Sequence, residues 1–518
     1  MEIFKRIQFL NSGYADYTNF CLDERHGVYV KFKKFIRAIK SSENDKASSN
    51  TKQVNGADIE ETIELIKKNT TQINDVVFKK IPTNEGIVTM VYSNSLVEKM
   101  TMQVMVLIPL ANHLNQIHQV SEKIDPADKT EIISKLMGGQ TLLYFHDANL
   151  LLSIDTYSAS TRAITNTETE STVIGPQDAF TESLQVNISL VKRRIKNPML
   201  KNENLIIGTE SNTEISLLYV EDIVNKENLE ILKNRLDKVN YPSFPDVSIL
   251  KQLIEDNPLS PFPQYYMSVR PDSIVHYILD GRIAILMDNS QAAIVCPTSF
   301  MDMFISVEDY YNRWTTATLL RMLRFFGFFL TIMITPMYVS ALTFHPEILP
   351  YELLLNLQES RSKVPFPPLI EVLFIELIIE VLREAGSRMP AKVGQTIGIV
   401  GGIVIGTAAV EAGLISNILI VLVATSALLS FLPPIFLMSN TSRFVRYIFI
   451  LSAGLFGLFG QMLALAWLLA HLLNLSSLGT PFMTPVIPRK AGDLLDGIIR
   501  FPTAFLKGRS GISRSKKK

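Results

Sequence analysis

The chain has 518 residues, enough for two or three domains, and 47% of them are apolar while only 19% are charged. Fifty basic side chains balance fifty acidic ones, so the net charge offers nothing to a nucleic acid. The two cysteines, Cys21 and Cys296, form no ligand spacing and no disulfide framework, which points to a reducing compartment.

Most charges lie before residue 324 and the apolar mass lies after it, the pattern of a soluble module followed by a membrane module. The opening MEIFKRIQFLNSGYADY lacks the apolar core and cleavage site of a signal peptide, so the soluble module is expected to stay in the cytoplasm. Residues 1–58 form an N-terminal segment ending in the polar linker KSSENDKASSNTKQVNGAD. Residues 59–160 read as a small α/β subdomain. It holds a helix at Glu60–Lys68, strands at Val76–Ile81 and Ile87–Tyr92, and a helix over Ser95–Ile117. A short helix opens at Pro126, and a hairpin pairs Thr141–Phe145 with Leu150–Ile154.

Residues 161–318 read as a second α/β subdomain. Gly175-Pro176 is predicted to open a helix whose apolar face is Phe180, Leu184, Ile188, Val191 and Ile195, stopped by Pro198. Its basic end, Lys192–Lys196, suits a helix C-terminus better than a phosphate site. A strand at Ile215–Val220, a helix at Asn228–Val239 and a helix at Ile274–Leu279 follow. Asp280-Gly281 is read as the turn leading into a hairpin of Arg282–Met287 with Gln291–Val295.

Residues 319–488 read as an all-α polytopic transmembrane domain. Phe325–Phe344 carries no charge and is long enough to span, with Pro336 expected to kink it. Arg313, Arg321 and Arg324 place its first end inside. The next stretch, Pro365–Gly413, has two unusual halves. In the first, Glu376, Glu380 and Glu384 share one helix face while Glu371 falls about 140° away from Glu376. Carboxylates are costly at membrane depth, so this row is expected to face an aqueous path or a partner, or to lie in the interface. In the second, Gly394, Gly398, Gly402 and Gly406 recur every fourth residue. Each glycine would cost a soluble helix roughly 1 kcal/mol, whereas in lipid such a stripe is a close-packing face, within one subunit or between copies. Glu411, inside apolar sequence, is a further functional candidate.

Leu414–Met438 can span, Arg443 and Arg446 are read as a cytoplasmic turn, and Tyr447–Pro488 can hold one more span. Five crossings at 325–344, 366–385, 393–412, 415–437 and 447–470 would put the basic tail, residues 489–518, outside. The positive-inside rule wants it inside, so either the glutamate helix does not cross or the segment near Gly479–Pro488 returns the chain. No Walker loop, HExxH, GxSxG or metal-ligand spacing is present, which disfavours an enzyme.

Three stretches carry a family resemblance: GPQDAFTESLQVNISLVKRRIKNP (175–198), SVRPDSIVHYILDGRIAIL (268–286) and PFPPLIEVLFIELIIEVLREAGSRMPAKVGQTIGIVGGIVIGTAAVEAG (365–413). The chain resembles the A subunit of GerA-type spore germinant receptors. The resemblance implies a cytoplasmic region of two α/β subdomains, a membrane domain and no cofactor. It also implies a complex in the spore inner membrane with a transporter-like B subunit and a lipoprotein C subunit, with A subunits assembled as a homo-oligomeric, nutrient-gated cation channel. Glu371, Glu376, Glu380, Glu384, Glu411 and Pro336 are then candidate pore or gating residues, and the glycine stripe the candidate oligomer face. A non-conducting scaffold coupling a nutrient-binding partner to a separate channel is the alternative.

Overall fold

The computed structural model describes residues 75–157, 170–388, 401–488 and 496–515, with short gaps inside the first, third and last of these ranges. The helix expected at Glu60–Lys68, the linker before it, and Gly394 and Gly398 lie outside the described residues.

The N-terminal half is two five-stranded antiparallel sheets. The first contains β1 (Val76–Thr83), β2 (Gly86–Ser93), β3 (Glu122–Lys123), β4 (Gln140–Phe145) and β5 (Leu150–Asp155). Helices α1 (residues 99–112, with a π-helical turn at Gln103–Leu107) and α2 (Lys129–Met137) accompany it. The second contains β6 (Leu200–Ile207), β7 (Thr213–Val220), β8 (Tyr266–Ser268), β9 (Ile283–Met287) and β10 (Ala293–Cys296). Its helices are α3 (Leu184–Arg194), α4 (Lys226–Lys238), α5 (Val247–Ile254) and α6 (Pro271–Leu279). The strand orders are β1-β2-β4-β5-β3 and β6-β7-β9-β10-β8, so the second sheet repeats the first strand for strand. Each subdomain opens with a hairpin in eight-pair register, β1 on β2 and β6 on β7. Each inserts a short edge strand between helices and closes with a second hairpin.

Continuous apolar runs such as Ile283–Met287 are buried along their whole length, as strands covered on both faces must be. A buried ion pair between Lys192 at the end of α3 and Asp75 at the start of β1 joins the two subdomains. Burial opposes ionisation of Asp75, but the Lys192 ammonium and hydroxyl donors from Ser93 and Ser95 hold its carboxyl below the ordinary value. The basic end of α3 is thus consumed by ion pairs: Arg194 Nη2 reaches Asp178 Oδ1 at 2.6 Å.

Two expectations need correction here. Residues 175–183 are not helical, and α3 begins only at Leu184. Gly175 has φ +109°, and its successor's carbonyl is taken by Arg270, so this stretch is held extended. The expected pairing of Arg282–Met287 with Gln291–Val295 is present as β9 on β10, but Asp280-Gly281 is not a hairpin turn: it closes α6, with Gly281 at φ +92°, and the β9–β10 turn lies at 288–292 with Asn289 at φ 62°.

The C-terminal half is helical. Helix α7 (Glu308–Tyr311) leads into α8 (Trp314–Thr343), which continues through Pro336. The polar connection contains α9 (Tyr351–Arg361), and α10 (Pro368–Arg388) is the glutamate helix. Helix α11 covers the described residues of 401–411, α12 is Asn417–Leu429, and α13 is Phe436–Asn474.

These helices run alternately away from and back to the sheets. Helix α8 leaves the sheet module, where Asp309 takes Arg321 and Arg324, and ends distally at Phe344. Helix α10 returns: Leu369 lies against Gly454 near the distal end, and Glu380 meets Arg443 near the proximal one. Gly401 lies against Leu382 and Gly413 against Lys363, so α11 runs distally again. Helix α12 descends from Ser416, beside Tyr338, to Ser426, whose hydroxyl donates to the Thr331 carbonyl at 3.0 Å.

Helix α13 is two arms, not one rod. Gly457 has φ 61° and ψ −141°, which breaks the helix into 436–456 and 458–474. Thr441 Oγ1 donates to the Pro261 carbonyl at 2.5 Å while His471 Nε2 sits 2.8 Å from Ser260 Oγ, so both arms end at one loop of the sheet module. Gly457 touches Phe344 and His345 at the distal end. A Cβ on Gly460 would lie 2.1 Å from the Ser452 carbonyl oxygen, so the arms meet backbone to backbone. The span expected at Leu414–Met438 is instead the 13-residue α12, a turn through Pro433-Pro434, and the start of α13. Arg443 and Arg446 lie inside the first arm rather than in a turn.

After Asn474 the chain docks back on the second sheet. Asp256 accepts from Ser476 Oγ at 2.5 Å and from the Leu478 and Gly479 amides at 3.1 Å. Further on, Arg500 donates to the Asn312 carbonyl at 2.9 Å, and Asp496 meets Tyr310 Oη at 2.8 Å and Arg321 Nη1 at 2.7 Å. Residues 496–500 therefore pack on the root of α8, on the same side as the sheets.

Candidate functional site

The carboxylates of the helical half do not share one environment. Glu371, 0% exposed, receives Arg361 Nε at 3.1 Å and the Ser416 amide at 2.7 Å. Glu376, 1% exposed, pairs with Arg446 Nη2 at 2.9 Å. Glu380, 36% exposed, is held by Arg443 and faces Arg383 at 3.8 Å. Glu384 is open, 64% exposed, with Arg388 one turn on at 2.6 Å. Glu411 is exposed at the distal end of α11. The i, i+4 spacing of α10 puts Glu376 and Glu380 on one face, and the i, i+3 spacing of Arg443 and Arg446 presents two cations to it. The result is a ladder of alternating charge between α10 and the first arm of α13. Sequence reasoning missed the arginine side of the ladder. The available signal was two arginines at helical spacing inside an otherwise uncharged run, matching two glutamates at helical spacing elsewhere.

Pro336 is buried in α8, beside Thr335, which lies against Glu376. Gly402 and Gly406, like Gly386 near the end of α10, are placed differently from the packed helical glycines Gly327 and Gly454. A Cβ on Gly327 would strike Leu432 and one on Gly454 would strike Leu369, but at Gly402 and Gly406 it would meet nothing within 4 Å. Helix α11 thus turns these two glycines away from the described residues of its own subunit.

In the sheet module, the first two resemblance stretches meet at Arg270. Its guanidinium donates to the Pro176 carbonyl at 2.7 Å, to Thr172 Oγ1 at 2.7 Å and to Asp272 Oδ2 at 2.8 Å. Asp272 also accepts from Tyr311 Oη at 2.8 Å. Burial and that bond push the Tyr311 phenol up to about 12. Burial likewise raises the Glu170 carboxyl above its usual range, against donors from Ser268 and Val269. This cluster ties the strand β8, the root of α8 and the loop before α3 together, a structural role. Among the described residues, no group of three or more His, Cys, Asp or Glu could hold a metal ion. Among the described residues, α8 and, taken across its break at Gly457, α13 are long and apolar enough to cross a membrane by length and composition.

Comparison with known proteins places these features. The family model described as "Bacillus/Clostridium GerA spore germination protein" matches residues 64–512. Spore germination protein GerQA of Bacillus cereus is 41% identical over 89% of this chain and 93% of its own length. Spore germination protein KA of Bacillus subtilis is 36% identical over 84% of this chain and 83% of its own. The crystal structure of the N-terminal domain of the A subunit of the Bacillus megaterium spore germinant receptor GerK3 aligns over 49% of this chain and 99% of that domain, at 27% identity and a TM-score of 0.37. With a match across both the sheet module and the charge ladder, the chain belongs to the GerA family of spore germination proteins.

Proposed function

We propose that this chain is the A subunit of a nutrient germinant receptor in the spore inner membrane, that copies of it associate through α11, and that the assembly passes monovalent cations when nutrient binds. The receptor's transporter-like B subunit and lipoprotein C subunit complete the complex and deliver the nutrient signal. The observation that carries this reading is the open glycine face at Gly402 and Gly406. A glycine face in lipid gains from close backbone approach by another helix, and among the described residues none approaches these two. The charge placement assigns roles within the row. Glu371 and Glu376 are closed off by arginines of their own subunit, so they act as internal struts. Glu384 and Glu411, exposed, are the carboxylates positioned to meet cations, as acidic rings do in cation channels.

The helical half lies in the bilayer with the sheet module and the tail both cytoplasmic. An even number of traverses fits the packing of residues 496–500 on the root of α8. The hairpin at Gly457 supplies the returning traverse, in place of the segment near Gly479–Pro488.

Gly402→Leu tests the assembly. Its side chain meets open space, so the single subunit should fold with unchanged thermal stability, while the oligomer seen by cross-linking in membranes should be lost and germination with it. A mutant that assembles and germinates normally removes α11 as the seam and leaves the scaffold reading in its place.

A further inference from the structure

Five charged side chains meet where α10 crosses the first arm of α13: Glu376, Glu380 and Arg383 from the former, Arg443 and Arg446 from the latter, with Arg383 in electrostatic contact with the other four. Two of them, Glu376 and Arg446, are 1% exposed. Their ion pair is close, yet no hydrogen bond of ordinary geometry reaches either Glu376 oxygen, the Thr335 hydroxyl beside them is likewise not aligned to donate, and Arg446 Nε, Arg443 Nε and Arg383 Nη1 donate none. Buried ionised atoms without hydrogen bonds cost several kcal/mol, and native structures seldom leave them so. The chemistry of this set selects what meets it. Two carboxylate oxygens, three arginine nitrogens and the Thr335 hydroxyl are left over. A bare anion would serve only the donors and a bare cation only the acceptors; water serves both.

We infer that water binds inside the helical domain at Glu376, bridging its carboxylate to Arg383, Arg443 and Arg446. Exposure rises stepwise from the pair at 1% through Arg443 at 11% and Arg383 at 16% to Glu380 at 36%, so the site opens past Glu380. Arg443 lies two residues from Thr441, which bonds the sheet module, so that opening is at the proximal end. Buried bound water needs two to four polar partners, and this cluster supplies them. Water here makes the ladder a hydrated joint between α10 and the hairpin. That lets the two helices shift without stripping either charge bare. The inference rests on the membrane reading only for its setting; it needs neither conduction nor an oligomer.

The direct test is a cryo-EM map of the whole receptor in lipid nanodiscs, sharp enough to show water. Density within hydrogen-bonding distance of Glu376 and of the three arginine nitrogens is expected. Side chains that close on one another with no density between them overturn the site. A second test uses a small, water-soluble methanethiosulfonate reagent on single cysteines in a Cys21→Ser, Cys296→Ala background. Thr335 faces the Glu376 carboxylate, while Val339, one turn on and equally buried, packs among apolar neighbours. Thr335→Cys should react about tenfold faster than Val339→Cys, since reaction tracks how readily solvent reaches each position. Adding Glu376→Leu with Arg446→Met should abolish the difference. Equal rates in the parent, or a difference that survives the double change, overturn the inference. Hydration found without cation conductance upholds this site while it removes the channel reading, so the two failures are separable.

Discussion

Gly457→Val tests the hairpin, the least expected feature of the helical half. At φ 61° and ψ −141° the residue sits in a region that is essentially closed to side chains, which costs about 1–3 kcal/mol for a non-glycine residue. A Cβ there would also lie 2.9 Å from the Phe344 Cβ and 3.0 Å from His345 Nε2. The first is a packed contact between α8 and the turn, so it cannot swing aside as a long flexible side chain would. The backbone strain and this contact together should cost roughly 3 kcal/mol. Thermal denaturation of the subunit in detergent should then move down by roughly 5 °C or more. A companion measurement reads the geometry itself. Spin labels at Phe436 and Leu473, both exposed, would stand about 55 Å apart on a straight helix at 1.5 Å per residue. Packed arms about 10 Å apart bring them within roughly 25 Å of each other, label reach included. A long distance in the unmodified turn, or Gly457→Val with unchanged stability, would refute the folded-back arrangement.

Other outcomes follow from the ion pairs. Asp309 is 0% exposed and holds Arg321 and Arg324, themselves 1% and 13% exposed, so Asp309→Ala takes the carboxylate from Arg324 and leaves Arg321 with Asp496 alone, which should cost about 3–5 kcal/mol. Limited trypsin digestion should then cut at the root of α8, and an intact root in that variant would contradict the account. Glu384→Gln removes an exposed pair worth less than about 0.5 kcal/mol, so thermal stability should hold while potassium release after nutrient addition falls. Release at the parental rate would take Glu384 out of the conduction path. Asp75 has a carboxyl held below its ordinary 3.8, so its stabilising pair with Lys192 is complete above that value and fades as pH falls through the lower folded one. Acid should therefore loosen the joint between the two subdomains, as read by protease sensitivity after β5, and Lys192→Met should abolish or reverse that acid loosening, because burial then opposes ionisation of Asp75 without the cation that offsets it.

What the sequence disclosed divides by how local the signal was. The closing hairpins of both sheets, α4 and α6 are written in runs of a few residues, and the alternation or continuity of Thr141–Phe145 and Ile283–Met287 is enough to place them. The strand Leu200–Ile207 escaped because LKNENLII reads as polar for half its length. It is a strand because β7 pairs with every one of its residues. The matched order of the two sheets was equally hidden. It lies in which strands neighbour which, and no short motif recurs between the halves. At the site, the glutamates and glycines could be listed from spacing alone, but not what each faces. Glu376 and Glu384 are eight residues apart on one helix face, yet one is closed off by Arg446 and the other open. That difference is made by α13, which lies more than fifty residues further along the chain.

Direction was the other hidden quantity. Hydropathy measures length and charge; it does not record where a chain reverses inside an apolar run. From Tyr447 to Asn474 the sequence carries one histidine and no other ionisable group except tyrosine, so the reversal at Gly457 leaves no trace in composition. The trace is in glycine placement instead. Gly454, Gly457 and Gly460 read as one side of a continuous helix, but each meets a different neighbour: Leu369, Phe344 and the Ser452 carbonyl. Glycines three apart mark a packing seam when one helix lies along them, and a reversal when the middle one alone has positive φ and the third touches the backbone before the first. Reversal here also settles where the arginines go. With the arms folded, Arg443 and Arg446 lie at the level of α10's carboxylates, and a chain that leaves the sheet module at Trp314 returns to it at Asn474. On the membrane reading proposed above, the parity conflict between the basic tail and a count of five crossings comes from treating that run as a single span.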